Sequence, residues 1–271
     1  MNKPTSNKRK AYKNSEFLDS YDARALRILS EYLEPEARFK RLGVTDTIVF
    51  FGSARLRPRA RAEAELAAAR EAGGDLREAE MRLRMSRYYE DARELARRLS
   101  EWSRGLDGHE GRFVVCTGGG PGAMEAANRG AAEADALNVG LSISIPVEEF
   151  QNHYLTPELA FEFHYFFMRK FWFTYLAKAV VVMPGGFGTL DELFELMTLI
   201  QTLKMKKRLP VVLFGKTFWN EVLNLDALVE YGTVNAKDLA LFYHTDSVDD
   251  AFEYVSRELL AHAVNGAGPS L

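Results

Sequence analysis

The segment Val180-Val-Val-Met-Pro-Gly-Gly-Phe-Gly-Thr-Leu-Asp-Glu192 most constrains what this chain can fold into, because an apolar strand passes through glycines into a helix that begins with acids. A glycine-lined turn lets backbone N–H groups approach a phosphate without Cβ clashes, and the following helix N-terminus adds partial positive charge. Asp191 and Glu192 then bring carboxylates within reach of whatever the phosphate anchors. A single acid in a first turn often does no more than complement the helix dipole. A second unit of the same kind argues for more: Phe113-Val-Val-Cys-Thr-Gly-Gly-Gly-Pro-Gly-Ala-Met-Glu125 again joins a strand to a helix through glycines. In a parallel sheet both loops lie at carboxyl ends of strands, where open α/β proteins bind ligands. Gly118, Gly120 and Ala123 match the degenerate dinucleotide pattern, which is weak evidence alone. The next strand, from Val139 to Ile145, runs into Pro146 with no acid at its tip for a ribose diol, which disfavours nicotinamide.

The regular alternation of strands and helices predicts a Rossmann-like, doubly wound, mostly parallel α/β sheet with helices on both faces. Strands are expected at 47–54, 113–117, 139–145, 179–183, 210–214 and 240–244, with a short extra strand or extended edge within 160–167. Residues 1–14 are polar and basic and are expected to form a disordered arm. Residues 15–271 then make one domain, since no linker divides them. Apolar spacing over 15–41 predicts one or two helices packed on that domain. Residues 57–104 are dense in Arg, Glu and Ala with a turn at Gly73-Gly74-Asp75, which predicts an inserted helical hairpin with a salt-bridged, solvated surface.

A net charge of −3 gives no general pull toward nucleic acid. No apolar run is long enough to span a membrane, and the start of the chain lacks a signal-like apolar run, so a cytoplasmic protein is expected. The one cysteine, Cys116, sits in a strand and reads as a small hydrophobe, and the five histidines show no ligand spacing, so no metal is expected. Ser53 lacks the frame of a triad nucleophile.

Between the two glycine units, Phe166-Phe-Met-Arg-Lys-Phe-Trp-Phe-Thr-Tyr175 is an aromatic helical stretch with adjacent cations Arg169 and Lys170. It leads directly into the strand ending at Pro184, so the cations can face the same crevice as Glu192. Arg offers a planar fork for phosphate or carboxylate, whereas Lys is a mobile point charge. Taken together, Gly118 to Met124, Phe166 to Lys170 and Pro184 to Glu192 resemble the signature of the Lonely Guy (LOG) family. Its members are phosphoribohydrolases of nucleoside monophosphates, known best for releasing cytokinins, and many once carried the label lysine decarboxylase. Nothing in the sequence marks a pyridoxal-phosphate lysine, and no cofactor is expected.

The resemblance implies that Arg169 and Glu192 are the essential pair. It further implies that Gly185, Gly186, Phe187, Gly188 and Thr189 hold the 5′-phosphate, while Gly52, Ser53, Gly118, Gly119, Gly120 and Gly122 shape the rest of the nucleotide site. Met124, Met168 and Lys170 join the substrate-binding set, with Glu149, Asp191 and Thr198 as further candidates. Glu148 and Glu195 are weighed beside them as surface or structural acids. Phe166 stands where compact members have methionine, and the long N-terminal arm and hairpin mark a longer member. Cleaving an N-ribosidic bond passes through a ribosyl cation-like state, so a carboxylate beneath C1′ can stabilise charge, form a ribosyl intermediate or activate water. The alternative is a non-catalytic nucleotide or molybdenum-cofactor carrier, or a nucleosidase for plain adenosine monophosphate. The apolar continuation of the Glu192 helix, Phe194 to Leu203, suggests a homodimer or a higher homo-oligomer.

Overall fold

The computed structural model describes residues 9–106, 111–144 and 152–264. Seven parallel strands form one sheet in the order β4-β3-β2-β1-β5-β6-β7. They are β1 (Thr47–Phe51), β2 (Val114–Thr117), β3 (Asn138–Ile143), β4 (Ala160–Phe163), β5 (Ala177–Val182), β6 (Val211–Phe214) and β7 (Phe242–Thr245). The chain starts at β1 in the middle, winds outward to β4, then returns to lay β5 on the free side of β1. That reversal is a topological switch point, and the crevice it creates opens beyond the carboxyl ends of β1 and β5. The architecture is the Rossmann-like α/β fold expected from the sequence, with the residues of 160–167 supplying the edge strand β4.

Helices cover both faces because the central strands are apolar on both sides. In β1, Ile48 and Phe50 enter one core while Val49 and Phe51 enter the other, as the two-residue side-chain period of a strand requires. The first core lies under α4 (Arg77–Arg104), α5 (Ala123–Glu133) and α10 (Val248–His262), and contains Tyr89, Leu95, Leu99, Ala126 and Val255. The second lies under α2 (Arg24–Arg41), α6 (Phe166–Tyr175), α7 (Phe187–Gln201) and α8 (Lys216–Val222), and contains Phe39, Trp172, Leu193, Leu196 and Trp219. The short α1 (Ser15–Leu18) precedes α2, α3 (Arg59–Glu71) precedes α4, and α9 (Leu225–Glu230) follows α8. No described helix is long and apolar enough to cross a membrane.

The region read as a hairpin insertion divides differently in space. The hydrophobic residues that α4 buries in the core run from Tyr88 to Leu99, so the second half of α4 is the β1-to-β2 crossover helix itself. Only α3 and the first half of α4 stand outside that framework, tied by ion pairs such as Arg82–Glu65 at 3.0 Å. Ala11–Lys13 of the basic arm form one exposed 3-10 turn, and residues 1–8 lie outside the described ones.

At the opposite end of the sheet from the crevice, Asp46 is fully buried ahead of β1. It accepts from Arg112 and lies 3.5 Å from Lys178. Arg112 also donates to the carbonyls of Ala263 at 2.6 Å and Val264 at 2.9 Å, which anchors the end of α10 to the strand entries. A buried charge is tolerable when it is paired and its remaining donors are satisfied.

Helices α4 and α5 approach closely, because a Cβ on Gly130 would lie 2.0 Å from the carbonyl oxygen of Arg93. Backbone cannot yield as a side-chain tip can. Gly130→Ala is therefore expected to cost about 1–3 kcal/mol or more, measured as a lowered midpoint in urea unfolding. An unchanged midpoint would mean that the helices separate freely.

Candidate functional site

Three loops meet at the switch point. The Ser53 N–H donates to the Pro184 carbonyl at 3.0 Å, and the Ser53 carbonyl accepts from the Ala123 N–H at 3.0 Å. The loop after β1 is thus stitched by backbone to the loops after β5 and β2. Such approach leaves no room for side chains: a Cβ on Gly52 would lie 2.6 Å from the Ala123 Cβ, and one on Gly185 would lie 2.1 Å from the Thr189 hydroxyl. Gly122 combines a positive φ of +71° with only 2.3 Å to the Ser53 carbonyl oxygen, so only glycine fits there. By contrast a Cβ on Gly186 or Gly188 would meet nothing within 4 Å. These two glycines border open space at the start of α7, where unpaired N–H groups of a helix N-terminus favour an anion.

A buried polar network holds the second loop. Thr117 Oγ1 accepts from the Gly119 N–H at 2.9 Å and donates to Asn128 Oδ1 at 2.6 Å. Asn128 in turn donates to Asn138 Oδ1 at 3.0 Å and accepts from Asn152 at 2.8 Å. Met124 folds over this loop, since its sulfur and methyl stand 2.8 Å from where Cβ atoms on Gly118 and Gly120 would lie. The lone Asn128 in an alanine-rich helix was the available sequence signal for this network, and sequence reasoning missed it.

Beside the loops, Arg169 Nη2 lies 3.3 Å from Glu192 Oε1, joining α6 to α7. Glu192 is only 8% exposed. Burial pushes its carboxyl up to about 7, against the opposing pull of Lys170 and then Arg169, while Glu195 and Asp191 add to the rise. Burial likewise holds the Arg169 guanidinium below its usual range. The Arg169 head lies 5.0 Å from the Phe166 ring centre, and its Nε is buried with no hydrogen-bond partner among the described residues. A desolvated acid of raised affinity for protons, next to a guanidinium whose buried Nε is unused, is a functional-site signature rather than a stabilising device.

The structure brings Arg169, Glu192, the three glycine loops and Thr189 together, with Thr189 and Glu192 both buried on α7. Other candidates stand apart. Lys170 is not open toward a phosphate, because its ammonium is held by Asp191 at 2.7 Å and Glu195 at 2.6 Å. Burial disfavours its charge, but those two carboxylates outweigh the burial and raise its pKa. Phe187, 92% exposed, shares a shallow outer groove with Lys170, Leu190, Asp191, Phe194 and Thr198. The Thr198 hydroxyl donates to the Phe194 carbonyl at 2.8 Å within its own helix. Met168 is buried in the core beside Trp172 and Phe173. Glu148 and Glu149 lie outside the described residues. Cys116 is fully buried, and burial raises its thiol beyond the reactive range. Among the described residues no cluster of His, Cys, Asp or Glu is placed to hold a metal.

Residues 124–255 match the model of the family described as possible lysine decarboxylase. That segment contains Arg169 and the whole Pro184–Glu192 motif, and over it the chain is similar to that family. No curated protein matches the chain. Among solved structures, the structural-genomics target TM1055 is 21% identical with a TM-score of 0.47, over 78% of this chain and 99% of its own. A molybdenum cofactor carrier protein from Chlamydomonas reinhardtii is 17% identical with a TM-score of 0.45, over 79% and 99%. The molybdenum cofactor binding protein of the phototrophic bacterium Rippkaea orientalis is 18% identical with a TM-score of 0.42, over 63% and 86%. Likenesses at this level carry no information on activity.

The Lys170 clamp has a measurable electrical consequence. Lys170 is the strongest of the cationic influences that keep Glu192 ionised, so Lys170→Met should raise the Glu192 pKa above the native one. Titration of the side-chain carboxyl by carbon NMR checks this, and a downward or absent shift would contradict it.

Proposed function

We propose that the chain hydrolyses the N-glycosidic bond of a purine nucleoside 5′-monophosphate, either adenosine monophosphate or an N6-modified derivative, to free base and ribose 5-phosphate. The observation that carries this reading is the buried Arg169–Glu192 pair standing beside a glycine cradle at the switch point. The 5′-phosphate would rest on the N–H groups at the start of α7, near Thr189 and the open sides of Gly186 and Gly188. The ribose would then lie over Glu192. As the bond from C1′ to the base nitrogen breaks, positive charge spreads over C1′ and the ring oxygen, and an anionic Glu192 in a desolvated site stabilises it. Water supplies the oxygen that bonds C1′ and the proton that ends on the base. Arg169, with an unused buried Nε, would orient the substrate and offset charge on the departing base.

Glu192 must be ionised for any of its possible roles. Its carboxyl titrates near 7, so kcat/KM should rise with pH through about 7 and fall below it, because that ratio reports the free enzyme. Glu192→Ala and Arg169→Ala should each lower release of base by about 10²-fold or more while the chain stays folded. Adenosine monophosphate and its N6-isopentenyl derivative, followed by chromatography of base and ribose 5-phosphate, provide the assay. Nucleotide binding without release would favour a carrier and demote Glu192 to a structural acid.

We also propose that two copies pair along the outer face of α7. Phe194 is 38% exposed and Phe187 far more so, and both lie on one groove with Leu190. A chain that sediments as a monomer at all concentrations, and in which Phe194→Glu changes nothing, would remove this proposal.

A further inference from the structure

The helix that carries Arg169 does not cap itself. The N-cap position of α6, Tyr165, forms no side-chain cap, and the N–H groups of His164 and Tyr165, just ahead of the first turn, need an acceptor. The acceptor comes from far away in sequence. The Glu31 carboxylate in α2 takes the His164 N–H at 2.8 Å through one oxygen and the Tyr165 N–H at 3.2 Å through the other. An anion at a helix N-terminus also complements the dipole. The same residue grips the helix further along, where the buried Trp172 donates its indole N–H to the Glu31 carbonyl at 2.9 Å. Around this double contact Tyr32 stacks on Trp172 with ring centres 5.7 Å apart, and Phe39 meets Trp172 at 5.3 Å.

A short chain of bonds runs from Glu31 to the candidate catalytic pair. Glu31 holds the Tyr165 N–H, the Tyr165 carbonyl accepts the Arg169 N–H at 3.2 Å, and the Arg169 guanidinium lies 3.3 Å from Glu192. We propose that Glu31 is a positioning residue for Arg169, and that the N-terminal helix α2 is part of the active-site framework of this chain. The proposal rests on the hydrolase reading for its effect on rate, but its structural half is independent of that reading. An arginine joined to its partner at the long end of hydrogen-bond range has little tolerance, since displacement by about 1 Å can cost on the order of 10²-fold in rate.

The test uses the full chain with Glu31→Ala and Glu31→Gln. Glu31→Ala removes both acceptors, whereas Glu31→Gln keeps one carbonyl oxygen and guards against loss of folding. Hydrogen exchange, read peptide by peptide, should accelerate in Glu31→Ala at 164–175 and remain unchanged in the α4–α5–α10 layer. With adenosine monophosphate or its N6-isopentenyl derivative, kcat per folded molecule should fall by about tenfold or more with a smaller change in KM, and Glu31→Gln should recover most of the loss. Unchanged exchange at 164–175 would overturn the proposal, as would acceleration spread evenly over the whole chain. Unchanged kcat in an active enzyme would overturn it too. If the native chain releases no base from either nucleotide, the hydrolase reading fails while local exchange at 164–175 still decides whether Glu31 holds α6.

Discussion

Backbone contact between three loops governs this site. Because Ser53 bonds both the Pro184 carbonyl and the Ala123 N–H, the ends of β1, β2 and β5 cannot move independently. Helices α5 and α7 therefore begin at the edge of the same crevice. Each leaves unpaired N–H groups and a fractional positive charge at its start. The glycines at 52, 122 and 185 are the condition for that convergence, since a Cβ at any of them would meet a neighbouring atom well inside contact distance. Those at 186 and 188 have no such neighbour. Two different physical demands thus put glycine in one motif: close packing at 185, and an open approach for an anion at 186 and 188.

Charge around the crevice is arranged in two layers. Arg169 and Glu192 form the inner one, both largely buried, and desolvation drives each toward its neutral form. Lys170, Asp191 and Glu195 form the outer one, where two short ion pairs straddle the Glu192 position along α7. The outer pairs also link α6 to α7, alongside the shared apolar core, so the inner pair is not required to hold the two helices together. An inner pair relieved of that duty is free to exchange its contact for a substrate. Buried ion pairs contribute little net stability, which fits a pair whose value lies in reactivity.

Much of this was legible in the sequence, because glycines and Pro184 punctuate the chain where strands end and helices begin. The two strand-glycine-helix units, the sheet type and the convergence of Arg169 with Glu192 followed from those positions. Sequence adjacency misled in two places. Lys170 follows Arg169, but one residue along a helix turns a side chain by about 100°, which aims the lysine at the outer acids. Asp191 and Thr198 likewise share the face of Phe187 and Phe194 rather than that of Glu192. The hairpin boundary was misplaced because arginine and glutamate run through α4 without a break, while the residues it buries in the central core start only at Tyr88. The role of Glu31 left no local signal at all, since it exists only once residues more than a hundred positions apart are side by side.

That last gap has a physical cause. Helix α6 spans ten residues, shorter than an isolated helix needs for stability in water, and four of them are phenylalanines, whose helix propensity is modest. Both of its ends are met by residues from other elements. Glu31 supplies an anion at its start, and at its finish Lys207 donates to the carbonyls of Thr174 at 2.6 Å and Tyr175 at 3.2 Å. Lys207 is itself half-buried, and that burial, then repulsion from Lys178, brings it down to about 7. Even as a neutral amine it keeps two donors, so the cap survives the loss of charge. An element with little stability of its own, held at both ends by residues outside every motif, takes its position from the assembled fold. The placement of Arg169 is therefore a tertiary property of this chain, set by α2 and by the segment between α7 and β6 as much as by the sequence around the arginine.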